Sequence, residues 1–304
     1  MNNTFDFMRL RLGAMWLSGL LLLVSIGSLA VQGLNLGLDF TGGTLLEVQY
    51  ATPQPLDDIS AALENAGYKD VTVQNFGSET DILVRMSEAF RDSLGNEVLT
   101  VLQAAAEGNP LTLMRSEFVG ANVGEELRDQ GGLALLLALA VVMIYVAARF
   151  QFKFSVGAVV ALFHDVVIIL GLFSLFQWEF DLTVLAAVLA VIGYSLNDTI
   201  VVADRIRENF RILRRSDPIG IMNESLNQTL DRTLMTSITT ALVLLALLVV
   251  GGELIHNFAL ALMIGVVVGT YSSIYVAANI LLLMNLSRED LIPPETEEEV
   301  DDRP

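Results

Sequence analysis

Cysteine is absent from the 304-residue sequence, and histidine occurs only twice. The lack of cysteine excludes disulfides, thiolate catalysis and zinc–thiolate sites, and two histidines argue against a histidine-rich metal site. Charged residues are also scarce, at 17%, whereas soluble domains contain about one quarter. Basic residues number 17 against 35 acidic ones, so the chain lacks the positive field that would attract nucleic acid. A soluble protein and a DNA or RNA partner are therefore not expected.

Long apolar runs account for the 53% of residues that are hydrophobic. A helix needs roughly 20 mainly apolar residues to cross about 30 Å of hydrocarbon. Six runs meet this requirement, and they cover residues 13–32, 132–149, 155–176, 180–203, 234–252 and 259–284. The first run also resembles a signal peptide, but it is longer than the usual hydrophobic core of such peptides, which favours an uncleaved anchor. The sequence predicts an α-helical polytopic membrane protein.

Lysine and arginine predict the orientation, because short basic connections stay in the cytoplasm. These residues cluster before the first span, after the second and after the fourth: Arg9, Arg11, Arg149, Lys153, Arg205, Arg207, Arg211, Arg214, Arg215 and Arg232. The connections at 177–181 and 253–258 contain none. Both termini are therefore predicted to be cytoplasmic, and residues 33–131 are predicted to lie on the periplasmic side.

Residues 33–131 contain 16 acidic and 5 basic residues and are much less apolar than the spans. Alternating patterns predict strands, and stretches between them predict helices. The strands are 44–50, 71–76, 81–86 and 111–118, and the helices are 56–66 and 92–107. The order β-α-β-β-α-β is that of a ferredoxin-like α+β domain.

The predicted organisation has four parts. Residues 1–32 form the cytoplasmic N-terminus and first span, and 33–131 form the periplasmic domain. Residues 132–287 form a five-helix region with a basic cytoplasmic connection at 204–233. Residues 288–304, with eight acidic and two basic residues, are predicted to be a disordered cytoplasmic tail, because this composition buries too little apolar surface.

Ionisable residues inside spans are expensive and indicate function by default. The third span contains His164 and Asp165, and the fourth contains Asn197 and Asp198. These two helices run in opposite directions, so both carboxylates can lie in the inner half of the bilayer. Arg232 begins the fifth span, from where its side chain can extend toward Asp198.

A buried carboxylate can carry a proton, because burial favours its neutral form and a nearby guanidinium favours its charged form. Two structural alternatives stay open: Asp198 and Arg232 form a static interhelical pair, and His164 and Asp165 only join adjacent helices.

Polar and small residues of the sixth span have simpler interpretations. Ser272, Ser273 and Asn279 are predicted to serve packing, and Gly265 and Gly269 form a small-xxx-small face for close helix approach.

Four segments together resemble the SecF family, the smaller membrane subunit of the bacterial SecD–SecF protein-export complex within the RND superfamily. They are GLNLGLDFTGGTLLEV after the first span, FHD in the third, GYSLNDTIVVADRIREN in the fourth and NQTLDRTLMTSITT at the fifth. The resemblance covers essentially the whole chain and implies half of an RND-type core.

The resemblance implies pairing with the six-span SecD beside the SecYEG channel, with YajC as an accessory, in the bacterial inner membrane. Such complexes couple inward proton flow to late steps in the export of unfolded polypeptides, without a cofactor. By position in these segments, the resemblance implies that Asp198 carries the proton and that Arg232 is its switching partner. Asn197 and Asp165 would support them, and His164 completes the predicted proton relay.

Three alternatives have different functions. An RND-type exporter of lipids or small hydrophobic molecules uses the same carboxylates, but the six-span length and the SecF-like segments argue against it. An intramembrane aspartyl protease requires Tyr-Asp and Gly-x-Gly-Asp motifs, and neither carboxylate has these neighbours. A scaffold that only stabilises a partner remains, and it predicts that Asp198 is dispensable.

Overall fold

Helices dominate the computed structural model, which describes residues 5–88, 91, 93–106, 108–149, 151–213, 217–287 and 289–291. Six of them are long and apolar enough to cross a membrane. They run over Phe7–Val31, Ala121–Arg149, Phe152–Phe176, Leu182–Ile212, Pro218–Val250 and Glu253–Leu283. Each overlaps one predicted span, which confirms six candidate spanning helices among the described residues.

The elements are labelled in chain order. The helices are α1 (Arg11–Val31), α2 (Leu38–Thr41), α3 (Leu56–Asn65), α4 (Leu94–Ala105), α5 (Ala121–Arg149), α6 (Phe152–Phe176), α7 (Leu182–Ile212), α8 (Pro218–Val250), α9 (Glu253–Ser272) and α10 (Ala278–Leu283). The strands are β1 (Asn35–Leu36), β2 (Gly43–Tyr50), β3 (Thr72–Phe76), β4 (Ser78–Met86), β5 (Leu111–Val119) and β6 (Glu179–Phe180). A 3₁₀ turn, Phe7–Leu10, precedes α1, a π-helical turn, Ser273–Ala277, joins α9 to α10, and a second 3₁₀ turn covers Glu289–Leu291.

The basic segment at 204–233 is helical over most of its length, because α7 continues to Ile212 and α8 begins at Pro218. Asp217 caps α8 by accepting hydrogen bonds from two backbone N–H groups of its first turn, and proline suits the first helical position. The segment therefore consists of the end of α7 and the start of α8, which a short connection joins. Arg214 and Arg215 lie outside the described residues, as does the predicted disordered tail apart from Glu289–Leu291.

The α+β domain, β2 to β5 with α3 and α4, has the predicted order of elements. Its four strands are all antiparallel and lie side by side as β3-β4-β2-β5, which is the ferredoxin-like arrangement. Ile59 and Leu63 of α3 and Val98 and Leu102 of α4 are buried against one face of the sheet. The predicted ends of the second helix, at 92 and 107, lie outside the described residues. Immediately after β5, α5 begins at Ala121, inside the predicted domain range.

Two glycines connect this domain to the membrane helices. Gly42 and Gly43 have φ angles of +66° and +117°, which disfavour side chains. A Cβ atom on Gly42 would lie 2.7 Å from the Cα of Ala121, and one on Gly43 would lie 2.6 Å from the Met86 carbonyl oxygen. Glycine at these two positions therefore allows the chain to pack closely against the start of α5 and the end of β4.

A second connection joins the sheet to the link between α6 and α7. Strand β1 pairs in parallel with β6, and Arg85 of β4 donates a 2.8 Å hydrogen bond to the Leu36 carbonyl. Arg85 also forms an ion pair with Glu179 at 3.8 Å, and Asn257 at the start of α9 donates to the Glu179 carbonyl. The domain is therefore held at the end of the helix bundle by polar contacts as well as by the chain.

Glu179 makes this connection sensitive to pH. Burial raises the pKa of its carboxyl, Arg85 opposes the rise, and the carboxylates of Asp181 and Asp39 add to it. Because the folded-state pKa lies above the unfolded value, the ionised form weakens the fold, and this penalty grows as pH rises from the unfolded toward the folded pKa.

We therefore expect Glu179→Gln to raise Tm in detergent at pH 8 by about 1–2 °C, and the gain to vanish near pH 4. Glu79→Gln, at an exposed position of β4, is the control and should change little. A lower Tm for Glu179→Gln at pH 8 would show that the ion pair with Arg85 outweighs burial.

Candidate functional site

Asp198 lies on the buried side of α7, where three helical segments meet, and is only 7% exposed. One carboxylate oxygen accepts a 2.6 Å hydrogen bond from the Thr233 hydroxyl of α8. The other accepts a 2.5 Å hydrogen bond from the Ser273 hydroxyl, in the first residue of the π-helical turn. The contacts of this carboxylate are therefore neutral hydroxyl groups.

Asp165 occupies a second buried position, on α6, and is 1% exposed. Its Oδ1 lies 2.9 Å from Nδ1 of His164, and its Oδ2 accepts hydrogen bonds from Ser195 at 2.5 Å and Ser272 at 2.8 Å. The His164 Nε2 atom lies 3.2 Å from the Ser18 hydroxyl of α1. Three further helices thus contribute hydrogen bonds to the pair on α6.

Close helix packing brings these groups together. A Cβ atom on Gly265 of α9 would lie 2.1 Å from a methyl group of Val191, and one on Gly269 would lie 3.1 Å from the Ser195 Cβ, both on α7. The predicted small-xxx-small face is therefore the contact between α9 and α7. Without this approach, Ser272 and Ser195 would not reach the same carboxylate oxygen.

A polar cleft of about 440 Å³ opens beside the site, between α5, α7 and α8. Its lining contains both charge signs and two of the predicted site residues: Tyr145, Arg149, Asn197, Ile200, Val201, Asp204, Arg205, Glu208, Gln228, Thr229 and Arg232. Asn197 and Arg232 are exposed, whereas His164, Asp165 and Asp198 are buried. The five predicted residues therefore divide into a buried group and a cleft group.

The suggested contact between Asp198 and Arg232 is not present. Successive residues of an α-helix point about 100° apart, and it is Thr233 that faces Asp198 from α8. Arg232 therefore points into the cleft, where it joins no ion pair with a described residue. The same rotation on α7 separates Asn197 from Asp198, so that Asp198 is buried and Asn197 is exposed.

Several hydroxyl groups of the site are missed by sequence reasoning. Ser18, Ser195 and Thr233 are common residues in apolar helices, and only their depth inside a span marks them. Ser272 and Ser273 are predicted to serve packing, but both donate hydrogen bonds to buried carboxylates. They do so because α9 approaches α6 and α7 closely. Asn279 is buried on α10, where its Nδ2 has no hydrogen-bond partner among the described residues.

Comparisons with known proteins identify the family. A family profile described as "Protein export membrane protein SecD/SecF, C-terminal" matches residues 98–287, and the "SecD/SecF GG Motif" profile matches residues 27–54. "Protein translocase subunit SecF" of Pseudomonas aeruginosa is 52% identical over 99% of this chain and 98% of its own. The protein of the same description from Escherichia coli O157:H7 is 47% identical over 99% of this chain and 94% of its own. The chain belongs to the SecF family.

A solved structure extends the likeness to the fold. The crystal structure of SecDF, a translocon-associated membrane protein from Thermus thermophilus, has a TM-score of 0.85 and 37% sequence identity. It matches 93% of this chain, which spans only 39% of that longer protein. The predicted fold class, a six-span half of an RND-type membrane core with an α+β domain, agrees with this likeness. The chain is thus a multi-pass membrane protein related to protein-export subunits.

Proposed function

We propose that the chain is an auxiliary subunit of the Sec protein translocase that, together with SecD, uses the proton-motive force to promote late steps of protein export across the inner membrane. Its α+β domain lies in the periplasm and both termini lie in the cytoplasm. Its further partners are the SecYEG channel, YajC and the unfolded exported polypeptide. The names of the relatives support the Sec pathway, and the physical argument for proton coupling comes from Asp198.

The surroundings of Asp198 carry this proposal. Both of its oxygens contact hydroxyl groups, which can donate to a carboxylate and also accept from a carboxylic acid. A fixed contact with arginine would favour the charged form alone. Here Arg232 lies in the adjoining cleft without an ion pair to a described residue, so the guanidinium is available to approach Asp198 in another conformation. The site therefore suits a carboxylate that alternates between two protonation states.

The cleft also indicates where the second half of the core belongs. Arg232, Asn197 and Asp204 line an open side of the bundle, and charged groups at membrane depth face protein or water rather than lipid. A second set of six spans, as SecD would provide, covers this side and completes the site. Transport of lipids or small hydrophobic molecules receives no such support, since the described cleft has a mixed-charge lining.

The test is export of a signal-peptide-bearing reporter in bacteria depleted of their own SecF and supplied with a compatible SecD. We expect the unmodified chain to restore export and Asp198→Asn, at a matched membrane level, to restore none. Asp129→Asn is the matched control, because Asp129 is exposed on α5, pairs with Arg128 and does not line the cleft. Full export by Asp198→Asn would make the subunit a scaffold and move the proton site to its partner.

A further inference from the structure

Ser272 and Ser273 are adjacent in sequence, yet they donate hydrogen bonds to different buried carboxylates. Ser272 donates to Asp165 and Ser273 donates to Asp198. A second link runs along α7, where Ser195 also donates to Asp165 and lies one helical turn before Asp198. The two carboxylates thus lie on different helices, but they are connected through the adjacent serines Ser272 and Ser273 and through α7.

Each of these two serines has a second acceptor within reach. The Ser272 oxygen lies 3.1 Å from the Gly269 carbonyl, and the Ser273 oxygen lies 3.0 Å from the Thr270 carbonyl. A hydroxyl group has one hydrogen, so it donates fully to either its carboxylate or its own helix. Which acceptor it prefers depends on charge, because hydrogen bonds to an ionised acceptor are shorter and stronger.

The helix is irregular at this point. Regular α-helix ends at Ser272, and the next five residues form the π-helical turn. Such turns widen the helix locally and are frequent at functional sites. Both serines therefore lie at the junction of two helix types, where the backbone is least constrained by the repeating hydrogen-bond pattern.

We propose that Ser272 and Ser273 couple the two buried carboxylates, so that the protonation state of Asp198 is sensed by the Asp165–His164 pair. When Asp198 binds a proton from water, its O–H becomes a donor, Ser273 turns its own hydrogen toward the Thr270 carbonyl, and the hydrogen bond between them reverses. The change in this contact shifts the junction, and Ser272 moves relative to Asp165 because it is the preceding residue. This inference rests on the proposed role of Asp198 as the proton carrier.

The groups that surround the coupled pair are few in the described part of the chain. Within one helical turn of the residues that hydrogen-bond to the two carboxylates, the titratable or charged side chains are His164 on α6, Tyr194 on α7, Asp231 and Arg232 on α8, Tyr271 on α9 and Tyr275 in the π-helical turn. Among these groups and the two carboxylates, only Asp165 accepts a hydrogen bond from a residue adjacent in sequence to a donor of Asp198. The described routes from Ser272 to Asp198 therefore run through the adjacent Ser273 and through Asp165 and Ser195 on α7.

The test measures the protonation of Asp198 directly. The full chain is assembled with SecD in lipid vesicles, and infrared difference spectra are recorded as a function of pH. The carboxylic acid band of Asp198 is assigned by its loss in Asp198→Asn. We expect Ser272→Ala to shift the midpoint of this band by about half to one pH unit, although Ser272 hydrogen-bonds to Asp165 and not to Asp198. Ser272→Thr retains the hydroxyl and should restore the midpoint.

Two further variants separate coupling from general disturbance. Ser174→Ala removes a buried serine that pairs with Ser28, outside this network, and should leave the midpoint unchanged. In an Asp165→Asn chain, Ser272→Ala should have no further effect. A titrating Asp198 band that Ser272→Ala leaves in place, or that Ser174→Ala shifts equally, overturns the coupling alone. A chain without a titrating Asp198 band, and with normal export by Asp198→Asn, overturns the proposed function and the coupling with it.

Discussion

Gly265→Ala is expected to destabilise the membrane core more than any other glycine-to-alanine substitution at the described contact between α7 and α9. The new Cβ atom would lie 2.1 Å from one methyl carbon of Val191 and 2.7 Å from the other, and both residues are buried. Overpacking of this kind costs about 1–3 kcal/mol. The helices must separate, and the hydroxyl groups of Ser272 and Ser195 then move away from Asp165. We expect low accumulation in the membrane, a lower Tm in detergent and loss of export.

Gly193→Ala is the matched control, since a Cβ atom there meets no atom within 4 Å. Alanine is the better helix former by about 0.5–1 kcal/mol, so this variant should be neutral or slightly stabilised. The double variant Gly265→Ala with Val191→Ala makes room for the added methyl group and should recover much of the lost stability. Equal Tm values for the two single variants would contradict the packing argument.

Local patterns in the sequence were sufficient for most of the fold. A run of roughly 20 apolar residues has few alternatives to a spanning helix, because every backbone group must be bonded within the membrane. Strand alternation and turn residues likewise predicted the α+β domain, whose strands β2 and β5 begin within one residue of the predicted starts at 44 and 111. Helix ends were less predictable. Helix α7 extends past its apolar run through polar residues, and α8 begins before its apolar run at a position capped by Asp217.

The site was predictable in its ionisable members and not in its contacts. Asp165 and Asp198 stand out because charge is costly at membrane depth. Their partners depend on how each helix is rotated about its axis, and a step of one residue changes that direction by about 100°. For this reason Thr233 contacts Asp198 and Arg232 does not. The π-helical turn at Ser273 has no local signal in the sequence.

Arg232→Gln is expected to lower export to the level of Asp198→Asn while leaving the fold intact. The side chain of Arg232 is exposed in the cleft and joins no ion pair with a described residue, so little folding energy depends on it. Its proposed role is to favour the ionised form of Asp198 when it approaches, which a neutral side chain cannot do. Arg232→Lys keeps the charge but loses the planar fork of donors, and should retain part of the activity.

Arg205→Gln is the matched control for this prediction, because Arg205 lines the same cleft and pairs with Glu208 at the exposed end of α7. Exposed pairs of this type contribute about 0–1 kcal/mol, so export should be nearly normal. If Asp198 and Arg232 act as one unit, the double variant Asp198→Asn with Arg232→Gln exports no less than either single variant. Normal export by Arg232→Gln at a matched membrane level would leave Asp198 to exchange its proton with hydroxyl groups alone, and the guanidinium would then have no part in the cycle.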